Sequence, residues 1–505
     1  MNKEDKKYVI EDFTYLSQSS IWNYMSLFYD QKGVDAWADT HVPYFVTSNA
    51  FIAHKYSLLI SDILRNNESN QPTYIIELGA GSGQFSFLLL NAIKERKHSF
   101  STKKVTYVMS DFTERNLSFW EKHQAFESFR KEGLLDFAHI DLYRPETILL
   151  RSSGQPLPSD AQIIIIANYL MDSISCESYR YTNGELFRNQ VSLQTKEENL
   201  NMMDLSSVSH IFPVWKSEEK VELLNKDSLL SWYLDYFSSR CREAYFTLPV
   251  HVMTYLEEMF LKRYSSVTLL SGDKAQTNPS RFVLNEYPHI APHGGAVSLV
   301  VNFHAIEWLF EKYHGSCLHH DHDNSLKISM FGTTYLPREE YQEHIVNFGP
   351  VDFLEVSRSF TPEYSVEAAN AILKLSRYDP DLFFRLKEIY YNKLETSGLS
   401  VRLEFVRCIK FLLQNYYWMK STRDLYFELS RIFHKIKEYR KALEYLKRSR
   451  EHLERFDNLY CTGLCHLSLC EKEEALVWFQ KCIAMNPSDE NCKQAIRMIM
   501  SELNN

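Results

Sequence analysis

The chain has 505 residues, 45% hydrophobic and 24% charged, which is ordinary globular material for roughly three domains of about 150 residues. With 56 Lys+Arg against 65 Asp+Glu the net charge is −9, the wrong sign for a broad nucleic-acid surface, so no nucleic-acid partner is expected. Only 15 Gly and 15 Pro beside 14% aromatics exclude long disorder and collagen-like repeats.

Residues 1–70 read as a helical cap, with apolar positions at mixed three- and four-residue spacing: Tyr15, Ile21, Tyr24, Met25, Phe28, then Ile52, Tyr56, Leu59, Ile60 and Ile63. The start, MNKEDKKYVIEDF, has no apolar core of the kind a signal peptide needs. TYIIEL (73–78) is then a short apolar strand running into a glycine cluster, followed by a helix over 85–97. KVTYVMSDF (104–112), LDFAHIDL (135–142) and AQIIIIANYL (161–170) follow as strands, with a helix over 114–131. Strands that are apolar throughout and alternate with helices predict a parallel sheet covered on both faces, doubly wound by right-handed crossovers.

From about 180 to 345 the pattern is mixed. Asn183-Gly184 marks a hairpin turn. SVTLLSGDK (266–274), AVSLVVNF (296–303) and SLKISMFGTTY (325–335) read as further strands, and 305–313 as a helix. These complete the sheet, leaving an insertion near 183–260 within a domain spanning 71–360.

From about 361 the strands stop, and 361–505 reads as an all-helical domain. Gly463, Ala475, Phe479 and Pro487 sit at offsets 0, 12, 16 and 24, and a weaker copy places Ser430, Ala442 and Leu446 at 0, 12 and 16. Small residues at those positions let two helices of a hairpin approach, and the proline ends the second helix. The spacing resembles that of tetratricopeptide repeats; a plain helical bundle is the alternative.

The nine cysteines form no CxxC pair, and an odd, dispersed set reads as reduced thiols. The longest uniformly apolar run, Ile163–Ala167, is far below the roughly 18 residues of a membrane span. A cytoplasmic protein without membrane contact is expected.

Glu77-Leu78-Gly79-Ala80-Gly81-Ser82-Gly83 lies directly after a predicted strand and before a predicted helix. Glycines there let backbone approach a ligand without a Cβ clash, and the helix N-terminus offers N–H groups. The dinucleotide fingerprint is not met, because residue 84 is Gln. The E-x-G-x-G-x-G pattern instead resembles motif I of class I S-adenosylmethionine (SAM) methyltransferases, which implies a Rossmann-like methyltransferase sheet with SAM as cofactor.

On that resemblance Glu77, Gly79, Ala80, Gly81, Gly83, Asp111, Phe112, Asp141 and Asn168 are the cofactor residues. Asp111, closing the second strand, can accept from both ribose hydroxyls. Asp141 stands where the family places a group against the adenine amine, and Asn168 faces the methyl donor. SDFTERNLSFWEKH (110–123), LDFAHID (135–141), ANYLMDSIS (167–175) and HGGAVSLVVNF (293–303) resemble, distantly, the MidA-like methyltransferases over roughly 40–355. That family is associated with protein arginine methylation in respiratory complex I assembly. Its Asn-Glu-x-x-Asp-Ala motif reads here Asn168-Tyr169-Leu170-Met171-Asp172-Ser173; Tyr replaces Glu, which leaves the acceptor open.

The catalytic candidates are Asn168, Tyr169 and Asp172. Asn168 could accept a hydrogen bond from an amine nucleophile, through its side chain or its backbone carbonyl. Tyr169 walls the site or packs in the core. Asp172 pairs with a cationic acceptor, takes its proton, or serves only as a helix-start charge. Thr47-Ser48-Asn49 caps either the pocket or a helix. His314, Cys317, His319, His320, Asp321, His322 and Asp323 invite a metal, but no pair has a helical or knuckle zinc spacing and none is expected to bind one. Cys461 and Cys465 read as packing residues.

The expectation is a SAM-dependent methyltransferase N-methylating a protein or peptide acceptor recruited by the helical repeats. The alternatives are a small-molecule methyltransferase whose repeats drive homodimerisation, or a non-catalytic scaffold.

Overall fold

In this computed structural model the described residues are 6–37, 45, 47–66, 71–96, 104–201, 205–222, 228–283, 286–320, 326–420 and 423–503. The chain divides into two compact units, Met1–Leu354 and Glu355–Asn505. The first unit runs β1 (Tyr8–Tyr15), α1 (Ile21–Lys32), α2 (Ala50–Asn66), β2 (Thr73–Glu77), α3 (Gln84–Arg96), β3 (Val105–Asp111), α4 (Glu114–Lys122), α5 (Glu127–Lys131), β4 (Leu135–His139) and β5 (Gln162–Asn168). It continues with β6 (Glu177–Thr182), β7 (Glu185–Thr195), β8 (Ile211–Lys220), α6 (Leu229–Ser238), β9 (Glu243–Leu248), α7 (Val250–Leu256) and β10 (Val267–Gln276). It closes with β11 (Ala291–His293), β12 (Ala296–Ser298), β13 (Val301–Asn302), α8 (Phe303–Lys312), β14 (Ser316–His319), β15 (Leu326–Gly332) and α9 (Arg338–Tyr341).

The main sheet has the order β14-β15-β10-β5-β2-β3-β4. Strands β10, β5, β2, β3 and β4 are parallel, and the β15 strand enters antiparallel between β10 and β14. The four isoleucines of β5 are fully buried, as a central strand covered on both faces requires. Helices α2 and α3 pack against each other beside this sheet. Asn49 caps α2, its side chain accepting from Ile52 N–H at 3.0 Å, which satisfies one of the helix's orphan donors.

The segment between β5 and β10 builds a second, antiparallel sheet. The long β7 pairs with β6 over its first residues and with β1 over its last, while β8 runs along 187–195. Asn183 and Gly184 both take positive φ, 49° and 87°, in the β6–β7 turn, the geometry that the Asn-Gly signal predicts.

Two expectations need correction. The N-terminal segment is α-helical only from Ile21, after a short 3₁₀ turn at Leu16–Gln18; residues 8–15 are a strand, because the β-branched and aromatic YVIEDFTY finds a partner in β7, about 180 residues away. The run 296–303 is not one strand: β12 and β13 are three- and two-residue pieces, and Asn302 caps α8 by accepting from Ala305 N–H at 3.0 Å. No helix of the described residues is long and apolar enough to cross a membrane.

Helix α10 (Pro350–Arg358) spans the boundary between units, and the second unit is otherwise helical: α11 (Val366–Leu375), α12 (Pro380–Lys393), α13 (Leu399–Gln414), α14 (Leu425–Lys435), α15 (Tyr439–His452), α16 (Phe456–Ser468), α17 (Lys472–Met485) and α18 (Glu490–Leu503). A Cβ on Gly463 of α16 would stand 2.9 Å from a ring carbon of Phe479 on α17. Ala475, Phe479 and Cys465 are fully buried at this hairpin, as are Ala442 and Leu446 of α15. The small-residue spacing therefore does close helix packing.

Candidate functional site

The carboxyl ends of β2, β3 and β5 converge on a cavity of about 520 Å³, the place where open α/β sheets hold ligands. Gly79, Gly81 and Gly83 have φ of 66°, 56° and 82°, which only glycine adopts without strain. A Cβ at Gly79 would meet Leu170 at 2.8 Å, and one at Gly81 would meet the Trp37 ring at 2.7 Å. The loop is bare main chain because its walls leave no room for anything else.

Glu77, at the end of β2, is buried. Ser86 Oγ and Tyr107 OH donate to its carboxylate, the latter at 2.7 Å. Burial outweighs these bonds and pushes its pKa up to about 7. Asp111, at the end of β3, accepts from Thr113 N–H and Oγ on one oxygen, both at 3.0 Å. Its other oxygen accepts from Gly81 N–H at 3.3 Å and Asn116 Nδ2 at 3.1 Å. Burial raises its pKa, against those bonds. With two donors on each oxygen the carboxylate is saturated. It ties the glycine loop to α4, and it reaches a ribose only by exchanging a donor, of which Gly81 N–H is the longest.

Asp141 lies two residues beyond β4 rather than at its end. It lines the cavity and accepts from Tyr143 N–H at 2.9 Å. Ala80, Phe112, Ile140 and Leu142 complete that wall. Phe112 is 40% exposed, an open ring face beside Asp141.

Asn168 ends β5. Its Oδ1 accepts from Gly272 N–H at 2.9 Å and Tyr56 OH at 3.0 Å. The Gly272 donor fixes the amide's orientation. Its Nδ2 is buried with no partner among the described residues. The side chain therefore offers the cavity a donor, not the acceptor expected from the sequence. Tyr169 takes φ 46°, uncommon for a bulky residue and costing about 1–2 kcal/mol. It lines the cavity, so its ring is not simply core.

Asp172 lies in the 3₁₀ turn Met171–Ser173, buried and lining the cavity. It does not cap the turn. Asp273 of β10 does, accepting from Met171 N–H at 2.9 Å and Asp172 N–H at 3.4 Å. Ser173 Oγ donates to Asp172 at 2.9 Å. Burial pushes Asp172 up to about 7, with Lys274 pulling the other way. Burial and the charge of Asp172 raise Asp273 well above the usual carboxylate range.

Sequence reasoning missed four contributors: Asp273, Lys274, Tyr29 and Trp37. Tyr29 and Trp37 stack at 5.7 Å and reach the cavity from α1 and the turn after it. No local pattern marks them. For Asp273 the signal existed, a carboxylate inside an otherwise apolar strand. Both readings of Thr47-Ser48-Asn49 hold: Asn49 caps α2, while Thr47 and Ser48 line the cavity.

Residues 57–228 match the model of a family described as "Putative S-adenosyl-L-methionine-dependent methyltransferase". No curated protein matches the chain. Among solved structures, a Burkholderia thailandensis protein bound to S-adenosyl-homocysteine is 10% identical with TM-score 0.39, over 61% of this chain and 74% of that one. A native structure of an uncharacterised protein from the same organism is 12% identical with TM-score 0.40, over 72% and 83%. The CurJ carbon methyltransferase is 9% identical with TM-score 0.30, over 62% and 61%. The site fits the cofactor of the matched family: a side-chain-free cradle at Gly79 and Gly81, an unpaired buried amide donor at Asn168, and carboxyls at 77, 111 and 141 around one cavity.

Proposed function

We propose that this chain, a SAM-dependent methyltransferase, transfers its methyl group to nitrogen on a protein side chain recruited by the helical C-terminal unit. Bound SAM supplies an electrophilic methyl on a sulfonium, so the chain's own task is to align a nucleophile and keep water out. Tyr29, Trp37 and Tyr169 wall the cavity with aromatic rings. Asn168 is held at two points by Gly272 and Tyr56 and keeps its Nδ2 free for a ligand acceptor atom. In this reading Asp172, buried on the cavity wall, holds a protonated amine or guanidinium and takes its proton. The observation that carries the reading is this buried carboxyl, poised near neutrality on the cavity wall beside Asn168. The repeat-like hairpins of the second unit, which resemble peptide-binding tetratricopeptide repeats, support a protein acceptor.

The test is transfer of labelled methyl from SAM into a fractionated lysate by the full chain. Label in protein bands, stable to base as N-methyl groups are, is expected. Label confined to small molecules would replace this reading with the small-molecule alternative.

A further inference from the structure

Helix α8 and strand β14 are consecutive, and a tight reversal at His314-Gly315 folds one onto the other. A Cβ on Gly315 would lie 2.6 Å from the Gly332 carbonyl and 2.8 Å from that of Phe310, so the reversal requires glycine. Cys317 and His319 are two apart on β14 and project from one face. Glu307 of α8 meets them there. The Cys317 thiol donates to Glu307 Oε1 at 2.7 Å, and His319 Nε2 lies 3.4 Å from Oε2. One ligand atom from each of the three residues lies within 4.8 Å of the others, and ligands of a tetrahedral zinc stand about 3.5 Å apart.

The ring of His319 is held from behind. Its Nδ1 is 2.9 Å from Ser329 Oγ, on the fully buried partner position of β15. Ligating histidines are characteristically oriented through their other nitrogen in this way. The side chains of His319 and Glu307 are 13% and 23% exposed, so an ion can enter while the site stays partly dry. One carboxylate and one thiolate balance a divalent charge. Sulfur and imidazole ligands select zinc over magnesium or calcium.

We propose that Glu307, Cys317 and His319 bind a zinc ion, with a fourth position left for water, fastening the edge strand β14 to α8. None of the three lines the methyl-transfer cavity, so the site is a second one and does not depend on the acceptor reading. On binding, the thiol proton leaves to solvent as the sulfur–metal bond forms. From sequence no metal is expected here, because no pair in this segment has a helical or knuckle zinc spacing; the third ligand comes from the preceding helix. Of the residues weighed there, Asp321, His322 and Asp323 lie outside the described residues.

The test is titration of the chelator-treated full chain with Co(II). One cobalt per chain is expected, with thiolate-to-cobalt charge-transfer absorption that zinc displaces and that is lost in C317S. E307Q should weaken cobalt binding roughly tenfold or more, and zinc should raise the melting temperature of wild type but not of C317S. Absence of the charge-transfer band in wild type, or its survival in C317S, would overturn the site. If C317S does not fold, E307Q decides: cobalt affinity equal to wild type is the overturning result.

Discussion

Two residues carry opposite burdens at the cavity. Gly81 contributes an absence, and its φ of 56° beside the Trp37 ring leaves no place for a methyl. Gly81→Ala should impose about 1–2 kcal/mol of backbone strain and weaken SAM binding by about tenfold, read by calorimetry. Asp172 contributes a proton site. Asp172→Asn should lower kcat/KM by ~10²–10⁴ while a SAM-dependent rise in melting temperature survives. In wild type the base form is lost as pH falls through about 7, so kcat/KM should drop with unit slope in acid. In the variant that limb should be flat; an unchanged profile would remove Asp172 from proton transfer.

At the scale of elements, what was legible and what was not divides by range. The glycine loop, the apolar parallel strands and the Asn-Gly hairpin each declare themselves within ten residues, because turn geometry and burial on both faces constrain neighbouring positions directly. Strand β1 and the Tyr29–Trp37 wall depend on partners across the fold, and Asp273 acts on a turn about 100 residues before it; no local period encodes such meetings. The α16–α17 hairpin belongs to the legible class. Phe479 fills the space that Gly463 leaves open, so Phe479→Ala should destabilise the second unit by ~3–5 kcal/mol, seen as a lower denaturation midpoint.

For the whole molecule, the acids buried around the cavity set a pH response. Folded Glu77 titrates near 7, against 4.5 when exposed. Between those values the folded chain keeps a proton that the unfolded chain has released, so its contribution to stability falls as pH rises from 4.5 to 7. Glu77→Gln should flatten the melting temperature of the chain against pH across that window; a slope identical to wild type would remove Glu77 from the account. The same acids bear on product inhibition. The methyl donor carries a positive sulfur that its demethylated product lacks, so under the proposed reading ionised carboxyls at 77 and 172, both on the cavity wall, would favour donor over product. Mild acidification erodes that preference, and turnover should then stall earlier as product accumulates.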